Sequence, residues 1–204
     1  MKSRNKAIFL DKDGTLVNDV PYNVDPRMVS LEHKAGEGLR LFSELGYLLL
    51  VVSNQPGVAL GYFHESALDA VWRCLDQLLE HEGIQLDGYY YCPHHTAGVV
   101  IEHAETCSCR KPMPGMLLRA AAEHNIDLGA SWMVGDILHD IEAGRRAGCK
   151  TILIDNGNET EWDLSPSRMP HLIAPDLHAA AQMVAMANGT AAQTKPRAMQ
   201  SEAP

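Results

Sequence analysis

The sequence predicts a single α/β domain built on a doubly wound, mostly parallel sheet with helices on both faces. Short continuous apolar runs alternate with amphipathic stretches along the chain, which is the pattern of successive βαβ units. A strand that is buried on both faces reads as an unbroken apolar run, and the segment YLLLVV at 47–52 has this form. The length of 204 residues is enough for one domain with a sizeable core.

Short apolar runs bounded by polar or turn-forming residues are predicted as strands. The first run directly precedes an acidic motif, and the second is the YLLLVV segment. The later runs are shorter, and each is separated from the next by a stretch that can hold a helix or a loop. The predicted strands cover residues 7–10, 47–52, 89–91, 132–134, 151–154 and 172–174.

The stretches between these strands carry apolar residues at helical spacing. Leu39, Phe42 and Leu45 share one face of the first predicted helix, and Gly46 suits its end. Pro114 suits the start of a later helix, because the first helical position needs no N–H donor. The predicted helices cover residues 35–45, 65–80, 114–123, 140–147 and 176–187.

Composition limits the partners and the location of the protein. The formal net charge is −9, which disfavours nucleic acid and anionic membranes as partners because both require a positive surface. The chain has neither a run of 18 apolar residues nor a signal-peptide core near its first residue. We therefore expect a cytoplasmic monomer with no membrane segment. Residues 1–187 form the expected domain, and the small, polar stretch 188–204 is expected to be a disordered tail.

The strongest motif is FLDKDGT at 9–15. Asp11 and Asp13 lie at positions i and i+2 directly after a predicted strand, where extended geometry points both side chains to the same side. Two close carboxylates repel each other and need a neighbouring cation, for which Mg²⁺ with oxygen ligands is suited. One carboxylate can attack phosphorus while the other moves protons. A bare DxD pair is a weak signal, but DxDGT directly after a buried strand is much more specific.

Hydrogen-bond donors and cations suited to phosphate occur in two further motifs. Ser53, Asn54 and Gln55 follow the second strand and offer a hydroxyl and two amides. Arg110 and Lys111 form a basic pair, in which Lys offers a compact charge and Arg a two-pronged donor. Taken alone, the first motif is more often an ordinary loop and the second a solvated surface pair.

The fourth motif is MVGDILHD at 133–140. Asp136 follows a predicted strand and a glycine, which is a suitable place for a metal ligand, and Asp140 lies one helical turn further on, where it can support Asp136. Taken alone, Asp136 is more often a helix cap than a metal ligand.

The order of these motifs resembles the haloacid dehalogenase superfamily of phosphotransferases, over about residues 7–155. The resemblance implies a Rossmann-like domain and a small phosphorylated substrate. It implies that Asp11 is the nucleophile, which forms an aspartyl-phosphate, and that Asp13 is the general acid and then the general base. Mg²⁺ would be held by the Asp11 side chain, the Asp13 carbonyl and Asp136, whereas Ser53 and Lys111 would bind the transferring phosphoryl group.

Cysteine and histidine residues form a second candidate metal site. Cys92 and His94 are followed after twelve residues by Cys107 and Cys109, which together make a Cys₃His set typical of structural Zn²⁺. Four protein ligands close the coordination shell, so we expect a structural rather than a catalytic metal. The zinc would order the loop that leads to the basic pair at 110–111.

A zinc loop just before Arg-Lys-Pro narrows the resemblance to the D-glycero-D-manno-heptose-1,7-bisphosphate 7-phosphatase family, with the histidinol-phosphate phosphatases as close relatives. In the heptose family this loop replaces a separate cap domain. The resemblance implies that Arg110 recognises the second phosphate or the sugar. The sequence departs from both families at Ile137, where Lys or Arg is common and an anion could bind. The residues expected to contact substrate are Asp19, Tyr22, Ser53, Asn54, Gln55, Arg110 and Lys111.

Three functions fit these observations. The first is removal of the 7-phosphate from a heptose 1,7-bisphosphate, and the second is the same chemistry on another small phosphate such as histidinol phosphate. The third is a non-catalytic phosphate-binding module, such as a signalling receiver domain. A receiver domain fits poorly, because its phospho-accepting Asp follows a later strand than its acidic pair, whereas Ser53 ends the next strong strand here.

Overall fold

The computed structural model describes residues 4–193, and side chains up to residue 189. All neighbouring strands in its sheet are parallel, in the order β3-β2-β1-β4-β5-β6. The strands are β1 (Ala7–Leu10), β2 (Leu48–Asn54), β3 (Gly88–Cys92), β4 (Trp132–Gly135), β5 (Lys150–Ile154) and β6 (Leu172–Ala174). The helices are α1 (Ala35–Glu44), α2 (Leu68–His81), α3 (Gly115–Glu123), α4 (Leu138–Ala147) and α5 (Leu177–Gln193).

The sheet has one apolar cluster on each face, as expected for strands that alternate their side chains between two buried faces. On β1, Ile8 and Leu10 pack with α1, α2 and α5, whereas Ala7 and Phe9 pack with α3 and α4. The predicted doubly wound sheet is therefore confirmed. Between β3 and α3, residues 93–114 contain one short 3-10 turn, Ile101–His103, and the described residues form no separate cap domain.

The predicted elements are all present, but several boundaries differ. Strand β2 continues to Asn54, so Ser53 and Asn54 belong to the strand and do not follow it. Helix α4 begins at Leu138, two residues before the predicted start, because the Asp140 carboxylate accepts the Ile137 N–H and caps the helix.

Helix α5 extends beyond position 187, where its end was predicted, to Gln193. Residues 188–193, which we had assigned to the tail, are therefore helical, and the rest of that tail lies outside the described residues. Alanine, the strongest helix former, recurs in this stretch and compensates for Gly189. Within the described residues, no helix has the length and apolarity needed to cross a bilayer.

Helices α1 and α5 pack closely because Gly38 has no side chain. A Cβ atom at Gly38 would lie 2.5 Å from the carbonyl carbon of Leu177, at the first residue of α5. A Cβ atom at Gly36 would meet only the flexible side chain of Glu82, at 3.1 Å or more. The two glycines lie on the same helix, but only Gly38 faces rigid backbone.

We expect Gly38→Ala to lower the free energy of unfolding by about 1–3 kcal/mol, because the new methyl group pushes α5 away from α1. Gly36→Ala is the matched control, since it brings the same gain in helix propensity, about 1 kcal/mol, without the backbone clash. Urea unfolding of both variants and the wild type measures the difference. Equal stability of the two variants would contradict the close packing of α1 on α5.

Candidate active site

The four sequence motifs converge at the carboxyl ends of the central strands. Asp11 follows β1, Ser53 lies near the end of β2, and Asp136 follows β4. Strand β1 lies between β2 and β4, so the chain continues to one side of β1 first and to the other side later. Ligand sites of open α/β sheets form at such a switch in strand order. The turn that delivers Lys111 comes from the loop between β3 and α3.

Lys111 is the cation at the centre of the cluster. Its ammonium group contacts Asp11 Oδ1, lies 2.7 Å from Asp140 Oδ1, and donates to the carbonyl oxygen of Val52 at 2.8 Å. Its side chain is 2% exposed. Burial by itself lowers the pKa of Lys111, but Asp11 and Asp140 outweigh it and raise the pKa above its ordinary value. Lys111 therefore remains charged at every physiological pH.

The backbone of Lys111 is fixed by a side-chain amide on the sheet. Asn54 Nδ2 donates to the Lys111 carbonyl oxygen at 3.1 Å, and the Lys111 N–H donates to Asn54 Oδ1 at 3.0 Å. This paired hydrogen bond connects the end of β2 to the loop that carries Lys111. Asn54 therefore acts on the position of Lys111, and its amide also reaches the cavity wall.

Asp136 is buried and receives neutral donors. The Thr15 hydroxyl donates to Asp136 Oδ1 at 3.1 Å, and Asn158 Nδ2 donates to Asp136 Oδ2 at 2.8 Å. Oxygen atoms of Asp11, Asp136 and Asp140 all lie within 4.8 Å of one another. Burial, followed by the charges of Asp11 and Asp140, raises the pKa of Asp136 from 3.8 to about 8. A cation beside these carboxylates would remove the repulsion.

Asp13 occupies a different environment from Asp11. Gln55 Nε2 donates to Asp13 Oδ2 at 3.1 Å and to the Ser53 hydroxyl oxygen at 2.8 Å, and Lys12 Nζ lies 3.0 Å from Asp13 Oδ1. Burial raises the pKa of Asp13, although Lys12 partly opposes this effect. A carboxyl group with a raised pKa is suited to donate a proton near neutral pH.

A cavity of about 220 Å³ opens over this cluster. Its lining includes Asp11, Asp13, Asp136 and Lys111 from the motifs, together with Asp19, Asn54, Ile137 and Asn158. Tyr22, which we expected to contact substrate, is not part of this lining, and its ring instead stacks edge-on against Tyr62 with centroids 4.7 Å apart. Both rings are largely exposed because they lie in surface loops. The Arg110 guanidinium lies 3.5 Å from the His94 carbonyl oxygen.

The Cys/His cluster lies in the loop that leads to Lys111. The Sγ atoms of Cys92, Cys107 and Cys109 lie 3.0–3.5 Å apart, and His94 Nδ1 lies 3.3 Å from Cys109 Sγ. Four donor atoms around one Zn²⁺ would be about 3–4 Å apart, given Zn–S distances of about 2.3 Å and Zn–N distances of about 2.0 Å. The donor set and its spacing fit a tetrahedral metal site.

The acidic cluster includes one residue whose predicted partner differs, Asp140, and two residues whose contacts were not predicted, Thr15 and Asn158. Asp140 was expected to support Asp136, but its carboxylate instead pairs with Lys111 and accepts the Ile137 N–H at 3.3 Å. Thr15 and Asn158 hold Asp136 in its place. The DGT motif pointed to Thr15, whereas Asn158 lies in an irregular segment with no motif.

Known proteins are similar to this chain in sequence and in fold. The family model described as HAD-hydrolase-like matches residues 108–180. The D-glycero-beta-D-manno-heptose-1,7-bisphosphate 7-phosphatase of Pasteurella multocida (strain Pm70) is 46% identical over 159 residues, which cover 78% of this chain and 86% of that protein. The enzyme of the same name from Yersinia pestis is 43% identical and covers 74% of this chain and 81% of its own.

The chain belongs to the D-glycero-beta-D-manno-heptose-1,7-bisphosphate 7-phosphatase family. Its fold also resembles the crystal structure of D,D-heptose 1,7-bisphosphate phosphatase from B. bronchiseptica, which was determined with magnesium and phosphate. That structure has a TM-score of 0.73 and 26% identity, and the match covers 89% of this chain and 99% of the other. The predicted family, the fold class and the assignment as a phosphomonoester hydrolase are therefore confirmed.

We expect Asp136→Asn to raise the free energy of unfolding when no divalent cation is present. The raised pKa of Asp136, about 8, means that the folded state binds this proton more tightly than the unfolded state does. The stability of the wild type therefore falls as the pH rises from about 4 to about 8, whereas the amide does not titrate. The advantage of the variant should be absent near pH 4 and reach a few kcal/mol near pH 8. Urea unfolding across this range, in a buffer from which Mg²⁺ and Ca²⁺ have been removed before use, measures it.

The exposed carboxylate of Asp155, at the end of β5, provides the matched control. Asp155→Asn makes the same exchange of a carboxylate for an amide, outside the cluster of Asp11, Asp136 and Asp140. A difference between Asp136→Asn and the wild type that stays constant across the pH range would contradict the raised pKa of Asp136, which burial and the charges of Asp11 and Asp140 produce.

Proposed function

We propose that the protein removes the 7-phosphate of D-glycero-D-manno-heptose 1,7-bisphosphate through an aspartyl-phosphate on Asp11. The observation that carries this proposal is the contact of Asp11 with Lys111 beside Asp136, in a chain whose relatives bear the name of this activity. A nucleophilic carboxylate, a buried cation and a second carboxylate for a metal are the parts that phosphoryl transfer needs.

Binding of the phosphoryl group is assigned to Lys111 and Ser53. Lys111 is permanently charged and faces the cavity, so it offsets the negative charge of both Asp11 and the phosphate. The Ser53 hydroxyl accepts from Gln55 and is free to donate its own proton to a phosphate oxygen. These donors are already in position, because they are fixed to β2 and to the Asn54–Lys111 hydrogen bonds.

Mg²⁺ fits the carboxylate pair of Asp11 and Asp136. Asp136 is 4% exposed, and none of the ion pairs among residues 4–193 provides it with a cationic partner. Hard carboxylate oxygens are the ligands that Mg²⁺ prefers. Asp11, Asp136 and the Asp13 carbonyl would hold the ion, which supplies positive charge to the transferring phosphoryl group.

The proposed reaction then requires two proton transfers, both by Asp13. Asp11 attacks phosphorus while the sugar alkoxide leaves and takes a proton from Asp13. Asp13, now a carboxylate, accepts a proton from water, which attacks phosphorus and releases Asp11 and inorganic phosphate. Burial raises the pKa of Asp13, which favours its protonated form at the start. The hydrogen bond from Gln55 stabilises the carboxylate that forms next.

The remainder of the substrate is assigned to residues that line the cavity or lie beside it. Arg110 would bind the second phosphate, and Asp19 and Asn54 would contact the sugar. Gln55 would act through Asp13 and Ser53, and Tyr22 would contribute only if its loop turns towards the cavity. Ile137 lines the cavity where many relatives of the heptose and histidinol groups carry a cation. Because the apolar Ile137 cannot bind an anion, the second candidate is a substrate with a single phosphate, such as histidinol phosphate.

Phosphate release from heptose 1,7-bisphosphate and from histidinol phosphate, compared side by side with Mg²⁺, tests the proposal. We expect a kcat/KM at least about tenfold higher for the bisphosphate, because Arg110 offers a charge to its second phosphate. A preference for histidinol phosphate would favour the second candidate. Asp11→Asn should reduce either activity at least about a thousandfold, because an amide is a poor nucleophile. Asp155→Asn is the matched control and should keep full activity.

Zn²⁺ is assigned to Cys92, His94, Cys107 and Cys109 as a structural ion. Burial raises the pKa of the Cys92 thiol, so a soft cation is needed to keep this ligand deprotonated at neutral pH. All four donors belong to the β3 end and the loop before Lys111. The ion would therefore fix the loop that carries the central cation of the active site.

We expect Cys107→Ser to reduce the bound zinc from about one equivalent to well below one and to lower the thermal stability. A hydroxyl is a much weaker ligand for Zn²⁺ than a thiolate is. Cys74→Ser is the matched control, because Cys74 lies on α2 away from the cluster. Metal analysis of the purified proteins measures the zinc content. An unchanged zinc content in Cys107→Ser would rule out this ligand set.

A further inference from the structure

The segment after β5 contributes a side chain to the acidic cluster that no motif identified. Asn158 Nδ2 donates to Asp136 Oδ2 at 2.8 Å, on the opposite oxygen from the Thr15 hydroxyl. Asn158 also lines the cavity over Asp11 and Lys111. The amide therefore contacts Asp136 from the open side of the site.

The segment 156–159 is hydrogen-bonded to the turn after Asp13 and to the start of α4. Asn156 Nδ2 donates to the Gly14 carbonyl oxygen at 2.7 Å, in the turn that follows Asp13. The Leu138 N–H, at the start of α4, donates to Glu159 Oε2 at 2.6 Å. Asn158 lies between these two tethers, so its amide is held in position from both sides.

Gly14 allows the close approach of the amide to the carboxylate. Its φ of +78° favours glycine, and a Cβ atom there would lie 2.2 Å from Asp136 Oδ2 and 2.4 Å from Asn158 Nδ2. The two side chains therefore share a gap that exists only because residue 14 has no side chain. The DGT motif thus has a second use, which is to accommodate the hydrogen bond between Asn158 and Asp136.

The charges around Asp136 indicate what this hydrogen bond does. Lys111 pairs with Asp11 and Asp140, whereas the described contacts of Asp136 are with the neutral donors Thr15 and Asn158. Neutral donors fix the direction of a carboxylate without cancelling its charge. Asp136 is therefore held in a fixed orientation while its negative charge remains available to a cation.

We propose that Asn158 is a positioning residue, which orients Asp136 for the divalent cation and so sets the affinity of the site for Mg²⁺. This inference rests on the proposed function for the presence of Mg²⁺ at Asp136. Asn158 need not touch the substrate for this role, because it acts through the carboxylate that it holds.

Thermal unfolding of the full chain, titrated with Mg²⁺ alone, tests the inference without relying on turnover. Asn158→Ala should raise the Mg²⁺ concentration that gives half of the maximal stabilisation by about tenfold, because one hydrogen bond to a charged group is lost. Asn158→Leu keeps the size of the side chain without its donor and should show the same increase. Thr160→Ala, an exposed substitution on the same segment, is the matched control and should bind Mg²⁺ as the wild type does.

Kinetics separate positioning from a general structural effect. In Asn158→Ala, the Mg²⁺ concentration for half-maximal phosphate release should rise by the same factor, while kcat at saturating Mg²⁺ stays within about threefold of the wild type. An unchanged Mg²⁺ affinity in both Asn158 variants would overturn the proposal, and so would normal affinity in Asn158→Leu alone. A wild type that binds Mg²⁺ but hydrolyses neither phosphate would reject the proposed function and leave the role of Asn158 intact.

Discussion

The arrangement of the site depends on one buried ammonium group. Lys111 is almost fully enclosed, and it can remain charged there only because Asp11 and Asp140 lie against it. Removing both carboxylates would leave the ammonium group without a partner in a low-dielectric environment, which costs several kcal/mol. The reverse also holds, because Asp11 and Asp140 would repel each other without Lys111. Asp11, Lys111 and the α4 cap at Asp140 are therefore parts of one electrostatic unit, in which none is stable alone.

The parallel sheet makes this unit feasible. Strands β1, β2 and β4 are adjacent, so side chains that are far apart in sequence meet at one edge without a long excursion of the backbone. Asp140 comes from the first turn of α4 and Lys111 from a loop, and this loop is secured at both of its ends. Asn54 bonds to the Lys111 backbone on one side, and the Cys/His cluster gathers the preceding residues on the other. A long loop that must hold a buried charge in one place gains rigidity from such anchors, because loops are otherwise more mobile than strands and helices.

Much of the fold and part of the site could be predicted from the sequence. Buried parallel strands leave unbroken apolar runs, so β1, β2 and β4 were visible, and Asp11, Asp13 and Asp136 could be placed at their ends. Two helix boundaries could not be predicted. The start of α4 depends on the hydrogen bond from the Ile137 N–H to the Asp140 carboxylate. The end of α5 depends on the alanine content of a stretch that resembles a polar tail. The role of Asn158 could not be predicted either. An asparagine in an irregular loop resembles any turn residue in the sequence, and only the fold places it against Asp136.

The neighbours of Asp13, Asp136 and Asp140 explain why three carboxyl groups in one site have different environments. Asp140 is fully buried against a lysine, and its pKa is raised only to about 6, because burial is opposed by the charge of Lys111. Burial, followed by the charges of Asp11 and Asp140, raises the pKa of Asp136 further, to about 8, because none of the described ion pairs gives it a cationic partner. Asp13 has Lys12 on one oxygen and Gln55 on the other, which together permit both of its protonation states. Three groups of the same type thus differ through their neighbours. Asp140 is paired with a lysine, Asp136 has only neutral donors among its described contacts and keeps an uncompensated charge, and Asp13 has a cation on one oxygen and an amide on the other.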